Sequence, residues 1–247
     1  MEAFEYIGST VSGLVYFALG FCLVRLGART RSTTEWVLGS AFLCWGLYYI
    51  LRIVSIGFQS QPILESRAYI TASTIDCLGS ISFAFFPLLA FRRGSTWAKW
   101  LATTLAMSLI TGIAGSTWVG DPGGVHPLTN GWWWLEWFGS IAAGIWIGVE
   151  GFHHYGMTRS RIRLGLSEPI VGHRYLLLGL MGMIWTLLDF LVVGQYVDYW
   201  ANHTWSATLD NLVGLLEIAS LAMIWLAYFA PAAYQRKINA SAVAAPR

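Results

Sequence analysis

ATLDNLVGLLEIASLAMIWLAYFAPAAYQRK, residues 207–237, decides how the rest of this chain is read. It is long and apolar enough to cross a bilayer, yet it carries Asp210 and Glu217. Seven residues bring a helix back to nearly the same face, so both carboxylates look the same way, roughly 10 Å apart along the axis. An acid placed in hydrocarbon costs at least about 2.5–3.5 kcal/mol, so such groups face a bundle interior and mark a functional site. The stretch ends on Pro231 followed by Arg236 and Lys237.

Composition agrees with a membrane setting. Of 247 residues 56% are hydrophobic and only 11% charged, against about 25% charged in a soluble domain. Too few charges remain to cover a globular surface, so much of the exterior must face lipid. Spans of about 20 apolar residues fall at 7–27, 35–57, 67–91, 98–119, 131–155, 171–197 and 207–233. These form one seven-transmembrane domain over 1–237, and 238–247, poor in packing residues, is expected to be a disordered tail. The opening Met-Glu-Ala-Phe-Glu-Tyr is acidic where a secretory signal would be basic, so the first span is expected to be retained.

Charge sets the orientation. Arg25, Arg29 and Arg31 follow the first span, Arg92, Arg93 and Lys99 the third, Arg159, Arg161, Arg163 and Arg174 the fifth, and Arg236, Lys237 and Arg247 the seventh. The opposite side offers Arg67 among Glu2, Glu5, Glu65, Asp121 and Asp198. The positive-inside rule therefore places the N-terminus outside and the C-terminus in the cytoplasm, in a plasma or bacterial inner membrane. Trp132, Trp133, Trp134 and Trp137, with Tyr196, Tyr199, Trp200 and Trp205, fall where an outer interfacial belt belongs. The outer loop 120–131 is turn-forming, and Asn202-His203-Thr204 matches a glycosylation sequon.

The two ends of the chain look alike. Thr30-Arg31-Ser32 after the first span matches Thr158-Arg159-Ser160 after the fifth. Leu38-Gly39 followed by Trp45 matches Leu178-Gly179 followed by Trp185 at the same spacing, and Pro87 before Arg92-Arg93 matches Pro231 before Arg236-Lys237. A three-helix unit used twice in parallel, a 3+1+3 repeat with 98–119 as inverting linker, accounts for the order.

Polar residues inside the spans fall in two zones. The outer half holds Arg52, Asp76, Glu136, Asp189, Asp210 and Glu217, with Tyr48, Tyr49, Trp185 and Asn211 at compatible depth. One arginine cannot neutralise five acids, so the zone is expected to hold protons or bind a cation or small solute. Interhelical hydrogen bonding alone is the competing reading. The inner zone holds Glu150, His153, His154 and His173. Glu150-x-x-His153 is a fragment of a helical di-metal motif whose second copy is missing. His153 or His154 facing His173 could ligate a haem, but interfacial histidines are the simpler reading, so neither metal nor haem is expected and the cofactor is left unknown.

Other chemistry lacks its motif. Cys22, Cys44 and Cys77 lie in apolar runs and form no C-x-x-C pair. No Gly-rich phosphate loop, hydrolase signature or aromatic-rich basic patch appears, which argues against an enzyme and against nucleic-acid binding. Gly144, Gly148 and Gly151 give the fifth span a smooth packing face.

In layout the chain is similar to the SWEET sugar transporters, N-out proteins with seven spans in parallel three-helix repeats around a linker. That resemblance implies a central solute path, although the family's paired prolines are absent from the first two helices of each repeat. It also resembles the microbial rhodopsins, whose last helix carries an Asp followed four residues later by the retinal-binding Lys. Here Asp210 is followed by Gly214, and Lys99 and Lys237 both lie at the cytoplasmic boundary, so covalent retinal is excluded. The sequence thus points to an all-α seven-helix bundle acting as a carrier or solute-binding protein. A receptor-like sensor working through a partner on its basic cytoplasmic loops, or a subunit of a membrane complex, are the alternatives.

Overall fold

Proline placement and sparse turn residues explain where the helices begin and end. In the computed structural model, which describes residues 2–57, 61–118, 130–202 and 206–244, the chain is all-helical. The helices are α1 (Glu2–Thr30), α2 (Thr33–Gly57), α3 (Pro62–Phe91), α4 (Thr96–Trp118), α5 (Gly131–Arg163), α6 (Pro169–Asn202), α7 (Ala207–Phe229) and α8 (Ala232–Ala244). Pro62 and Pro169 sit in first turns, where a missing N–H costs nothing. Ser206 caps α7 by accepting from the Leu209 amide at 3.4 Å. Ala230, held extended at φ −52°, ψ 124° by the following Pro231, separates α7 from α8. Residues 119–129, expected to form an outer loop, and His203, Thr204 and Trp205 of the sequon and aromatic belt lie outside the described residues.

Among the described residues, five helices are long and apolar enough to cross a membrane: Thr10–Thr30, Thr33–Val54, Ser66–Phe91, Pro169–Tyr199 and Thr208–Phe229. This is a multi-pass membrane protein by length and composition. α4 and α5, at 23 and 33 residues, match the length but are not among these five. Large apolar side chains such as Phe21, Trp100, Leu215 and Ile218 are exposed along these helices, the exterior a hydrocarbon solvent requires.

α8 runs through residues 238–244, part of the stretch expected to be disordered. That expectation rested on too little apolar content to pack, which does not limit local helicity. Alanine, the best helix former, supplies much of the segment.

The chain divides into two compact units, Met1–Ser140 and Ile141–Arg247, with the boundary inside α5. In the first unit α1 and α2 touch through glycine. A Cβ on Gly39 would lie 2.8 Å from the Val24 amide nitrogen, and one on Gly20 only 2.6 Å from that of Leu43. Tyr16, Phe42, Trp45 and Phe83 form a buried aromatic core across α1, α2 and α3, with Trp45 at 5.4 Å from Phe42 and 5.2 Å from Phe83. In the second unit α5 and α6 meet the same way. A Cβ on Gly179 would lie 3.0 Å from the Phe152 amide nitrogen, and one on Gly148 would lie 2.8 Å from the Met183 sulfur. α6 also packs against α7 and α8.

Candidate functional site

α2, α3 and the start of α5 bring one set of the polar candidates together in the first unit. Asp76 on α3 accepts a side-chain hydrogen bond from the Trp45 indole on α2 and feels the charge of Arg52, two turns further along α2. Room for the indole comes from Gly79, one turn after Asp76. A Cβ there would stand 3.0 Å from both Cδ1 and Nε1 of Trp45 and 3.1 Å from the Ala41 carbonyl oxygen. The sequence Asp76-x-x-Gly79 thus places an acceptor and a gap for its donor on one helix face.

Glu136 completes this set. Its carboxylate lies within electrostatic reach of Asp76 and of the Cys77 thiol. Gly112 on α4 lets α5 come close enough to deliver it, since a Cβ there would lie 2.6 Å from the Glu136 backbone nitrogen. Tyr49, one turn beyond Trp45, stacks on Tyr16 at 5.6 Å and meets Tyr48 edge-on at 5.4 Å. Asp76 therefore lies within electrostatic reach of one guanidinium and one further carboxylate, beside the Trp45 indole. The group carries one negative charge when all three are ionised, which suits a proton or a single positive charge as its complement.

The second unit holds Trp185, Asp189, Asp210 and Glu217. Asp189 is buried on α6, and Glu217 on α7 is half-buried. Asp210 is exposed and accepts from Gln195 Nε2 at 2.6 Å, so its partner is a buried amide on α6 rather than a cation. Glu217 sits one turn before the fully buried Ser220, whose hydroxyl donates to the Glu217 backbone carbonyl at 2.8 Å.

The inner zone rearranges the histidine reading. Glu150 is buried and approaches His154 Nε2 at 3.8 Å, whereas His153 is exposed. The helix offers Glu150 both neighbours, and the ring of Tyr175 on α6, 5.4 Å from His154, packs against the second. His173 hydrogen-bonds the Tyr234 hydroxyl and so ties α6 to α8. Burial pushes the Tyr234 phenol above its ordinary range. Next to it Arg174 Nε donates to the Ala227 carbonyl at 2.8 Å, and the guanidinium lies over the Tyr228 ring. Among the described residues no three His, Cys, Asp or Glu side chains converge as a metal site would require.

Sequence reasoning passed over four contributors. Trp45 enters the sequence reading only as a repeat marker, Gly79 does not enter it, and Gln195 and Tyr234 carry no signal there. For Trp45 and Gly79 a usable signal existed in the acid followed three residues later by glycine. Comparison with protein-family models, with curated proteins and with solved structures yields no match.

Proposed function

We propose that this chain is a seven-span carrier or solute-binding protein, N-terminus outside, whose polar site in the outer half takes up a proton or a small cationic solute. The observation that carries the reading is the Trp45–Asp76–Arg52 group with Glu136 beside it, an excess of acid over base on apolar helices. Such groups cost several kcal/mol in hydrocarbon and persist where they serve binding or transport, about 2.5–3.5 kcal/mol being the lenient insertion figure.

A duplicated three-helix unit supports the seven-span topology. Aligning α1 on α5 by their Thr-Arg-Ser sequences pairs Val24 with Phe152 and Gly20 with Gly148. Aligning α2 on α6 by Leu-Gly and Trp pairs Gly39 with Gly179 and Leu43 with Met183. The close contacts then coincide: Gly39 on Val24 and Gly20 on Leu43 in one unit, Gly179 on Phe152 and Gly148 on Met183 in the other. In the third helices the prolines differ in role, Pro87 lying inside α3 and Pro231 between α7 and α8. Matching the acids instead pairs Asp76, Gly79 and Phe83 with Glu217, Ser220 and Ile224, and the last two members of each set are buried. Two parallel copies need an odd linker span between them, and α4 supplies 23 residues, about 35 Å of helix.

The test is proton movement in sealed vesicles reconstituted with the purified protein and loaded with a pH-sensitive dye, under an imposed potassium–valinomycin potential. Native protein should move protons faster than empty vesicles, and Asp76→Asn should bring the rate to the empty-vesicle level. A rate unaffected by Asp76→Asn, in a variant that folds and inserts normally, would remove the site from the function.

A further inference from the structure

The α5–α6 hairpin is longer than its counterpart in the first unit. Under the alignment above, which rests on the proposed duplication, α5 runs five residues past the position matching the end of α1. α6 likewise begins four residues before the position matching the start of α2. The added turns do not splay. A Cβ on Gly172 would lie 2.9 Å from Ile162 Cδ1 and 3.5 Å from Thr158 Cγ2, so the arms stay packed to the end. A Schellman cap closes α5: Gly165 takes φ 70°, its amide bonds the Ile162 carbonyl at 3.0 Å, and the Leu166 amide bonds the Arg161 carbonyl at 2.9 Å. The apolar partner that such a cap offers its last residue is here an arginine. Leu164 and Leu166 consequently stand 72% and 73% exposed, among the exposed Arg159, Arg161 and Arg163, and Glu168 is the only acid in the sequence from 151 to 174.

We propose that this tip docks an acidic amphipathic helix of a cytoplasmic partner protein, its leucines entering the partner's apolar face and its arginines meeting the flanking carboxylates. Reach argues for a protein rather than the membrane surface. With the outer interface at Trp132–Trp134, about 20 residues bring α5 across the core near His154, and the rest of the helix extends about 14 Å further. That clears a headgroup layer of about 5–7 Å. Ordered leucines at that height meet water unless a protein covers them, and three exposed cations select an acidic one.

The experiment uses the full chain in nanodiscs of phosphatidylcholine and a fluorescein-labelled peptide with leucines on one helical face and glutamates on the other. A scrambled peptide of the same composition serves as control. The expected result is saturable binding that weakens at least tenfold for Leu164→Ser/Leu166→Ser and for Arg161→Glu/Arg163→Glu, at unchanged Tm, and that weakens with salt. Equal binding of the scrambled peptide, insensitivity to either pair of substitutions, or no binding overturns the proposal. So does a spin label at Leu166→Cys, with Cys22, Cys44 and Cys77 replaced by Ala, that becomes lipid-immersed in nanodiscs containing one-quarter phosphatidylglycerol, because the tip would then serve the membrane surface. Nanodiscs expose both faces, so an inverted orientation or a failed carrier reading leaves this binding intact.

Discussion

Gly39→Ala should destabilise the protein although alanine is the better helix former. In an open helical position this change gains up to about 1 kcal/mol. At Gly39 the new methyl would lie 2.8 Å from both the amide nitrogen and Cγ2 of Val24 and 3.0 Å from the Gly20 carbonyl oxygen. Backbone atoms cannot rotate aside, so α1 and α2 must part by about 0.6 Å to restore ordinary contact. A gap of that size forfeits about a quarter to a half of each dispersion contact across the seam. Overpacking of this kind costs about 1–3 kcal/mol, so against a gain of about 1 kcal/mol the net loss centres on about 1 kcal/mol. For a chain of this size each kcal/mol moves Tm by about 2–4 °C. Gly156→Ala and Gly194→Ala are the matched controls, because a Cβ at either meets nothing within 4 Å. Both should be neutral or stabilising. SDS titration in mixed micelles, followed by far-UV circular dichroism and paired with thermal melts, reads all three. If Gly39→Ala raises stability as the controls do, the close approach of α1 and α2 is wrong, and the coincidence of contacts that supports the duplication goes with it.

Other outcomes are equally concrete. Trp45→Phe keeps most of the buried volume but removes the indole donor, and should cost about 1.5–3 kcal/mol. In a double-mutant cycle with Asp76→Asn the two losses should be non-additive by at least about 0.5 kcal/mol, and strict additivity would mean that the side chains do not interact. Arg174→Ala should lower Tm and speed hydrogen exchange at the end of α7, because the guanidinium holds the Ala227 carbonyl and covers Tyr228. Arg174→Lys should fail to restore it, lacking the planar fork. Ser167→Cys, at the tip of the α5–α6 hairpin, should react with a membrane-impermeant maleimide in inside-out vesicles only, with Cys22, Cys44 and Cys77 replaced by Ala. Labelling from the outside would reverse the proposed orientation.

Much of the architecture was legible in the amino-acid sequence because bilayers impose strict rules on composition. An exterior in hydrocarbon forces long apolar helices, and prolines at 62, 169 and 231 mark starts and breaks that depend on backbone chemistry alone. The acids in the spans were legible for the same reason: nothing cheap keeps them there. Partner choice was not legible. Glu150 has histidines at both i+3 and i+4, and packing on Tyr175 settles for His154. Asp210 looked like part of a charged cluster, yet the tertiary structure gives it the amide of Gln195, a residue fifteen positions earlier on the facing helix. Asp76 finds its donor in Trp45 because Gly79 leaves a gap the width of an indole, and a gap is a property of two helices rather than of one sequence. Composition and periodicity determine what each helix must hide from water or lipid. Only the packing of one helix against another decides which side chain meets which, because those contacts depend on sub-ångström approach that no local pattern encodes.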